Sequence, residues 1–418
     1  MTPRPGDVVE VDVERPAAGG RMIARHEGAV VFVSGAIPGE RVRARIEKAQ
    51  RGTIFARTEA VLEASPDRID PAPGLACGGH VFAHIAPARQ AALKGEIVVD
   101  AFRRQARLTL DAVAVTAGPA DGYRVRARAH VRGGRWGFFE EGSHVPCSIT
   151  GSRQLSETSA ERCERVCAAV SEAAPDAHAE VEWVESVDGA RCVVHAHLVA
   201  GGWRRALPPV GGVDGLSVSD TRHARPRQVA GEPFVTDRIT GTGGDTPVRH
   251  HVQAFFQGNR YLLQPLVDAV VSRVQADVVA DLYAGVGLFS LALAQPDRTV
   301  DAVEGDGCAA EDLAVNAARL GAVRPLYLSV ERFVRDHDLA RYGSVVVDPP
   351  RAGLAPEVVQ ALIAARVPSI VYVSCDPVTL ARDVRMLAAG GYGLEAVQAF
   401  DLFPRTAHVE TVAALSRR

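Results

Sequence analysis

From Val8 to Glu63 apolar and polar residues alternate, or β-branched residues run together, in five short segments. These are VVEVDV (8–13), MIARHEG (22–28), AVVFVSG (29–35), RVRARIEK (41–48) and IFARTEAVLE (54–63). A period of two puts one face of a segment in a core and the other in water, which predicts strands. Gly19-Gly20, Pro38-Gly39 and Arg51-Gly52 separate the segments with residues that turn the chain. Five such strands within residues 1–63 predict a small closed barrel of the OB type. Ser65–Pro73, rich in proline and aspartate, reads as a linker.

Residues 64–245 are patterned less clearly. YRVRARAHV (123–131) and RWGFFEEGSHV (135–145) read as a hairpin about Gly133-Gly134. AEVEWVES (179–186) and RCVVHAHLV (191–199) read as a second, and Thr158–Ala173 as a helix. The mixture predicts a small α+β middle domain. From residue 246 onward continuous apolar runs take over: VVADLYAG (278–285), TVDAVEGD (299–306), SVVVDPP (344–350) and SIVYVSCDP (369–377). Strands apolar on both sides belong to a sheet covered on both faces, as parallel sheets are. The helical stretches LFSLALAQ (288–295) and CAAEDLAVNAARLG (308–321) alternate with them, so residues 246–418 predict a doubly wound α/β domain. EAVQAFDLFP (395–404) and HVETVAALS (408–416) have no helix between them and predict an antiparallel hairpin at one sheet edge.

Composition narrows the class. Of 418 residues, 47% are hydrophobic and 23% charged, ordinary for a folded globular chain. Disorder and a small disulfide scaffold are thereby excluded. No apolar run approaches the roughly 20 residues that span a bilayer. MTPRPGDVVEVDV turns charged before a signal region could form. A cytoplasmic protein without membrane contact is expected. The net charge of −3 does not mark a nucleic-acid binder, but two local clusters do stand out. Arg41–Arg57 holds six cations against Glu47, and Arg124–Arg135 holds five arginines and no acid. Each reads either as a phosphate-facing patch or as a solvated strand face. In RVRAR (124–128) the three arginines share one strand face. Seven cysteines (77, 147, 163, 167, 192, 308, 375) follow no framework, and their odd number predicts free thiols.

Four motifs carry chemistry. In Asp281-Leu-Tyr-Ala-Gly285-Val-Gly287 a strand ends, two glycines turn the backbone tightly and a helix begins. A nucleoside-bearing ligand can lie against such a turn. Glu304, at the end of the next strand, can accept hydrogen bonds from ribose hydroxyls; the pairing suits NAD as well as S-adenosylmethionine. Asp348-Pro-Pro-Arg351 and Ser374-Cys375-Asp376-Pro377 follow buried strands, at the sheet edge where ligands bind in open α/β folds. Cys375 there is placed as a nucleophile, which partial exposure and positive surroundings would activate. Pro404-Arg-Thr-Ala-His-Val-Glu410 puts a carboxylate, a candidate base, at the start of the last strand.

Taken in order, FFQGN (255–259), DLYAGVG, VEGD, DPPRAG, SCDP and PRTAHVE resemble the successive signatures of the RNA (uracil-5)-methyltransferases, and residues 1–63 look like their TRAM domain. The resemblance spans essentially the whole chain. It implies a Rossmann-like methyltransferase sheet and 5-methyluridine formation in rRNA or tRNA. Cys375 would be the nucleophile that adds to uracil C6, and Glu410 the base that removes the C5 proton. Gln257, Tyr283, Gly285, Glu304 and Asp348 would bind S-adenosylmethionine, and Asp348 would also hold the uracil edge. The barrel and the arginine-rich middle strand would grip the RNA. A monomer is the default. Leu288 departs from the family, where an asparagine often stands. Some relatives hold an iron–sulfur cluster through C-x5-C-x2-C and a distant cysteine. Here only Cys77 of that run remains, with Ala72 or a neighbour in place of the first ligand and His80 in place of the third. No cluster and no metal are expected. A zinc site using Cys77, His80 and another pair of ligands is the lesser alternative to His80 as a plain loop residue. Two other readings compete: an NAD-dependent oxidoreductase, and an RNA-binding or RNA-folding protein with a vestigial site.

Overall fold

A computed structural model of the chain describes residues 4–50, 52–71, 77–140, 142–223 and 225–418. Arg51 of the first basic cluster, and Ala72 and Pro73 of the expected linker, lie outside these residues.

The N-terminal segment closes into a five-stranded barrel of β1 (Val8–Pro16), β2 (Met22–His26), β3 (Ala29–Ser34), β4 (Arg41–Gln50) and β5 (Thr53–Glu63), in the order β1-β2-β3-β5-β4. Its core is the inward half of the predicted alternation: Val11, Val13, Val31, Val33, Val42, Ala44, Ile46, Ile54 and Ala56. Phe82, Ile85 and Leu93, from beyond the barrel, complete that core. The outward arginines are laced to acids on neighbouring strands. Arg41 and Arg43 reach Glu10 at 3.2 and 3.3 Å, Arg45 reaches Glu59 at 2.5 Å, and Arg57 reaches Glu47 at 3.1 Å. The solvated-face reading therefore describes this cluster in the free protein. Such exposed pairs are each worth only about 0–1 kcal/mol, so they can exchange for phosphate at small cost.

The middle segment does not form one unit. Helix Pro87–Ala101 and the wider π-helical turn Phe102–Ala106 that continues it bury Val98, Ala101 and Phe102 against the C-terminal sheet, beside Tyr372 and Leu380. β6 (Val115–Thr116) joins the outer edge of that sheet. What remains is a seven-stranded sheet of β7 (Arg126–Arg132), β8 (Arg135–Phe139), β9 (Pro146–Cys147), β10 (His178–Glu185), β11 (Cys192–Ala200), β12 (Gly215–Asp220) and β13 (Arg227–Gly231). Its order is β13-β12-β11-β10-β7-β8-β9. The two expected hairpins are present and join through β7 and β10. Helix Glu157–Ala173 covers the apolar face, where Val181, Trp183, Val194 and Cys167 meet. The three arginines of RVRAR are already engaged. Arg124 donates to Gln154 at 2.6 Å, Arg126 to the Val252 carbonyl at 2.9 Å, and Arg128 is paired with Glu180 and Glu182.

Cys77 and Cys147 are joined in a disulfide with Cα atoms 5.7 Å apart, which corrects the expectation that all seven cysteines are free. The two are 70 residues apart in sequence, and only the fold brings β9 beside the loop that carries Cys77. His80 is buried in the short turn that follows, and burial lowers its pKa to about 4. Among the described residues no group of three or more His, Cys, Asp or Glu is arranged to hold a metal ion, and no helix is long and apolar enough to cross a membrane.

The ribbon β14 (Phe234–Gly241) and β15 (Gly244–His251) buries Ile239 and Val248 among Leu266, Val270 and Leu291 of the last domain, so that core begins before residue 246. The sheet itself comprises β16 (Val278–Leu282), β17 (Thr299–Glu304), β18 (Val323–Tyr327), β19 (Ser344–Val347), β20 (Ser369–Ser374), β21 (Tyr392–Phe400) and β22 (Glu410–Arg417). Its order is β18-β17-β16-β19-β20-β22-β21-β6, with β16 to β20 parallel and β22 antiparallel to both neighbours. The continuous apolar runs are its central strands, buried on both faces as predicted; all four residues of β19 are buried.

Candidate active site

The carboxyl ends of β16, β17, β19 and β20 open into one cavity of about 500 Å³. Gln257, Tyr283, Gly285, Glu304, Asp348, Cys375 and Glu410 all line it. For Tyr283, Gly285, Glu304, Asp348 and Cys375 the convergence follows from topology, since parallel strands end on one edge; Gln257 comes from the loop after β15 and Glu410 from the start of antiparallel β22.

The turn after β16 is built on unusual backbone. Tyr283 has φ of 63°, in the left-handed region that costs a side-chain-bearing residue energy. Gly287 has φ of 98°, and a Cβ there would stand 2.8 Å from the Leu313 side chain. This turn aims the Gly285 N–H at Glu304 Oε2 (2.7 Å), while Glu304 Oε1 accepts from the Asp306 N–H (2.6 Å). The carboxylate is thus fixed by two backbone donors and keeps lone pairs for a ligand. Leu288 is buried and lines the cavity with Phe256 and Phe289. Phe256 is held in turn by stacking on His250 at 4.0 Å.

Two carboxyls, Asp348 and Glu410, stand on the polar wall, and a third, Asp281, lies buried behind it. Asp281 is fully buried; Ser290 donates to one of its oxygens at 2.5 Å and the other has no partner. Burial raises its pKa to about 7. Asp348 keeps some surface, but its carboxyl is deep enough that burial, reinforced by the charge of Asp281, raises it to about 7 as well. Gln257 Nε2 donates to it at 3.4 Å. Glu410 is buried, and desolvation followed by the charge of Asp348 holds its pKa well above the ordinary carboxylate range. The sequence singled out Asp348 and Glu410 but assigned no role to Asp281. An acid closing a buried strand directly before the glycine turn was its only signal.

Cys375 is half-buried between these acids and Arg351. Positive surroundings were expected to favour a thiolate. Instead burial, and then the charges of Glu410 and Asp348, push the thiol up to about 11, and Arg351 opposes them only in part. On the other side of Cys375 a smaller chamber of about 120 Å³ is lined by His408, Arg351, Gly78 and, from the barrel, Ala18 and Gly19. The first barrel turn therefore shares a chamber with Cys375, a contact that no local pattern announced.

These acids have a measurable consequence. A carboxyl whose folded pKa is raised to about 7 favours the fold below its unfolded value near 3.9 and loses that advantage as pH rises through 7. The stability these acids contribute is therefore expected to fall between pH 5 and pH 8, and it is read as the difference between the wild type and a variant that lacks one of them. Asp348→Asn removes one such group and relieves Glu410, so it is expected to raise the pH 8 melting temperature, by about 1 °C for each kcal/mol gained in a chain of this length. Calorimetry of both proteins across this range checks it; an unchanged or lower pH 8 transition in the variant overturns it.

The strand order, the glycine turn after β16 and the acid that closes β17 define a class I S-adenosylmethionine-dependent methyltransferase fold, here attached to an OB-type barrel. Comparison with known proteins specifies it further. The family model tRNA (Uracil-5-)-methyltransferase matches residues 215–418, and the TRAM domain model matches residues 4–58. An uncharacterised RNA methyltransferase of Streptomyces coelicolor is 34% identical over 98% of this chain and 93% of its own. The 23S rRNA (uracil(1939)-C(5))-methyltransferase RlmD of Chromohalobacter salexigens is 32% identical over 97% of this chain and 89% of its own. The crystal structure of Pyrococcus abyssi tRNA (uracil-54, C5)-methyltransferase, solved with S-adenosyl-L-homocysteine, shares the fold. Its TM-score is 0.74 at 24% identity, covering 97% of this chain and all of that one. The chain belongs to the RNA (uracil-5)-methyltransferase family. Membership leaves the dehydrogenase reading without support.

Proposed function

We propose that this protein methylates C5 of a uracil in structured RNA through a covalent bond between Cys375 and C6, and that it takes the methyl group from S-adenosylmethionine. The observation that carries the reading is the meeting of Cys375 and Glu410, from the ends of adjacent antiparallel strands, in one cavity with Glu304, Asp348 and Gln257.

The cavity suits the donor chemically. Glu304 offers fixed acceptors to a ribose diol, and Phe256, Leu288 and Phe289 offer apolar surface to a purine. Asp348 and Glu410, costly to ionise in an empty cavity, gain from a cation placed among them. S-adenosylmethionine supplies an electrophilic methyl group on a sulfonium. Uracil C5 is a weak nucleophile until Cys375 adds to C6. The thiol gives its proton to solvent as its sulfur bonds to C6, and the C5–C6 electron pair moves to C5 as an enolate. C5 takes the methyl group as the sulfonium S–CH3 bond breaks, and S-adenosylhomocysteine leaves as the neutral thioether. Glu410 removes the C5 proton, and that electron pair expels Cys375 from C6. The target base must leave its stack to reach the cavity.

The curated relatives named for their reaction act on 23S rRNA, and the structural neighbour acts on tRNA. Both substrates therefore enter one test. Protein and S-adenosylmethionine are incubated separately with unmodified tRNA and unmodified 23S rRNA, and nucleosides are measured by mass spectrometry. New 5-methyluridine in one pool is expected. Methylcytidine in its place, or cofactor binding with no methylation of either RNA, overturns the proposal.

A further inference from the structure

We propose that the buried pair Lys94–Asp401 is a positioning device for Glu410, locking the loop that delivers this base to the cavity. The inference rests on the reading of Glu410 as the base.

Residues 401–409 connect β21 to β22 and end one residue before Glu410. A hairpin loop is usually 2–5 residues long; within this longer one only Thr406 is bonded to its loop neighbours, donating to the Phe403 carbonyl and accepting from the His408 N–H, among the described hydrogen bonds. The structure fastens it from outside. Lys94, wholly buried in helix Pro87–Ala101, donates to the Asp401 carboxylate and, at 3.0 Å, to the Phe403 carbonyl. The Asp401 N–H donates to the Thr116 carbonyl at 2.8 Å. Asn259, two residues beyond Gln257, donates to the Leu402 carbonyl at 2.9 Å. Farther along, Arg405 adopts left-handed backbone with φ of 63°. Its N–H donates to Gln90 Oε1 at 2.9 Å, and its guanidinium reaches Asp121 at 2.6 Å.

Stability alone gives little reason to bury an ion pair here. Burial lowers the pKa of Lys94 and raises that of Asp401, so each partner resists ionisation. Apolar residues of similar volume often hold such a place as well or better. What they lack is direction. The ammonium binds two acceptors on the loop at once and so fixes the path of the loop against the helix, while Glu410 at its far end is paired with Phe400 on β21. Misplacing a reacting group by 1 Å costs up to about 10²-fold in rate.

The test uses the full-length protein with Lys94→Met and Asp401→Leu combined, which removes both charges together. Melting temperature and S-adenosylhomocysteine affinity report on folding and on the cofactor cavity, and both are expected to stay near wild type. Turnover on the RNA pool methylated above is expected to fall about 10- to 100-fold, with methylated RNA accumulating in a denaturant-resistant bond to the protein. Arg405→Met, which acts on the same loop and leaves the buried pair intact, is expected to give a weaker form of the same signature; it decides the matter if the double variant does not fold. Wild-type turnover, or reduced turnover without the adduct, overturns the proposal. Glu410→Gln run alongside separates the two ideas. If it traps RNA and the loop variants do not, only the positioning role falls. If it traps nothing, the assignment of the base falls and the positioning role falls with it.

Discussion

Glu410→Gln is expected to turn the enzyme from a catalyst into a trap. The amide keeps the size and hydrogen-bonding ends of the side chain but cannot accept the C5 proton. Addition of Cys375 and methyl transfer precede proton removal, so both still proceed. Release then slows by about 10²–10⁴-fold, the usual loss when a positioned base is removed. A protein–RNA species that survives denaturing electrophoresis and carries labelled methyl groups is the expected product. The pH dependence supplies a second readout. A base acts only when ionised, and the buried Glu410 is held well above the ordinary carboxylate range, first by desolvation and then by Asp348. The release step in the wild type therefore speeds up as pH rises through that raised value, and the variant loses the dependence. Loss of turnover with no adduct, at any pH, would show that another group takes the proton.

Cys375→Ala is expected to abolish both methylation and capture while leaving S-adenosylhomocysteine bound. Without addition at C6 the uracil carbon never becomes an enolate, and removal of the nucleophile from a covalent mechanism costs on the order of 10⁶ in turnover. The thiol also has a pH signature. Because burial and the facing acids push it up to about 11, little of it is thiolate at neutral pH in the free protein. Alkylation by iodoacetamide is expected to be slow at pH 7 and to accelerate about tenfold for each pH unit up to roughly pH 10. Asp348→Asn removes one of the charges that oppose the thiolate and is expected to move this curve to lower pH. A Cys375 that alkylates rapidly at pH 7 would contradict the acid-rich environment. Residual 5-methyluridine from Cys375→Ala would contradict the covalent route itself.

The structure also accounts for the modest net charge of an RNA-directed enzyme. The barrel arginines and Arg128 meet glutamates, while Arg124 and Arg126 are spent on the architecture around β7. Basic residues counted along the chain therefore overstate the charge available to a phosphate backbone. Glu10 and Glu59 lie outside the window in which the cations cluster, so the pairing was invisible from sequence.

The barrel strands and the central strands of the sheet were legible because their signal is local. Alternation in β1 and β4, and unbroken apolar character in β19 and β20, need no knowledge of partners. The meeting of Tyr283, Gly285, Glu304, Asp348 and Cys375 was legible for a related reason, whereas Gln257, from the loop after β15, and Glu410, at the start of antiparallel β22, were brought there by tertiary structure. Parallel strands terminate on one edge, so motifs that each follow a strand must converge. What the chain could not disclose depends on partners far away in sequence. Only tertiary structure placed helix Pro87–Ala101 and β6 on the C-terminal sheet, joined Cys77 to Cys147, and brought the first barrel turn to Cys375. It also reversed the expected state of the Cys375 thiol. Residue type sets what a group can do, but its proton affinity is set by burial and by charges that arrive from other strands, here Asp348 after β19 and Glu410 on β22.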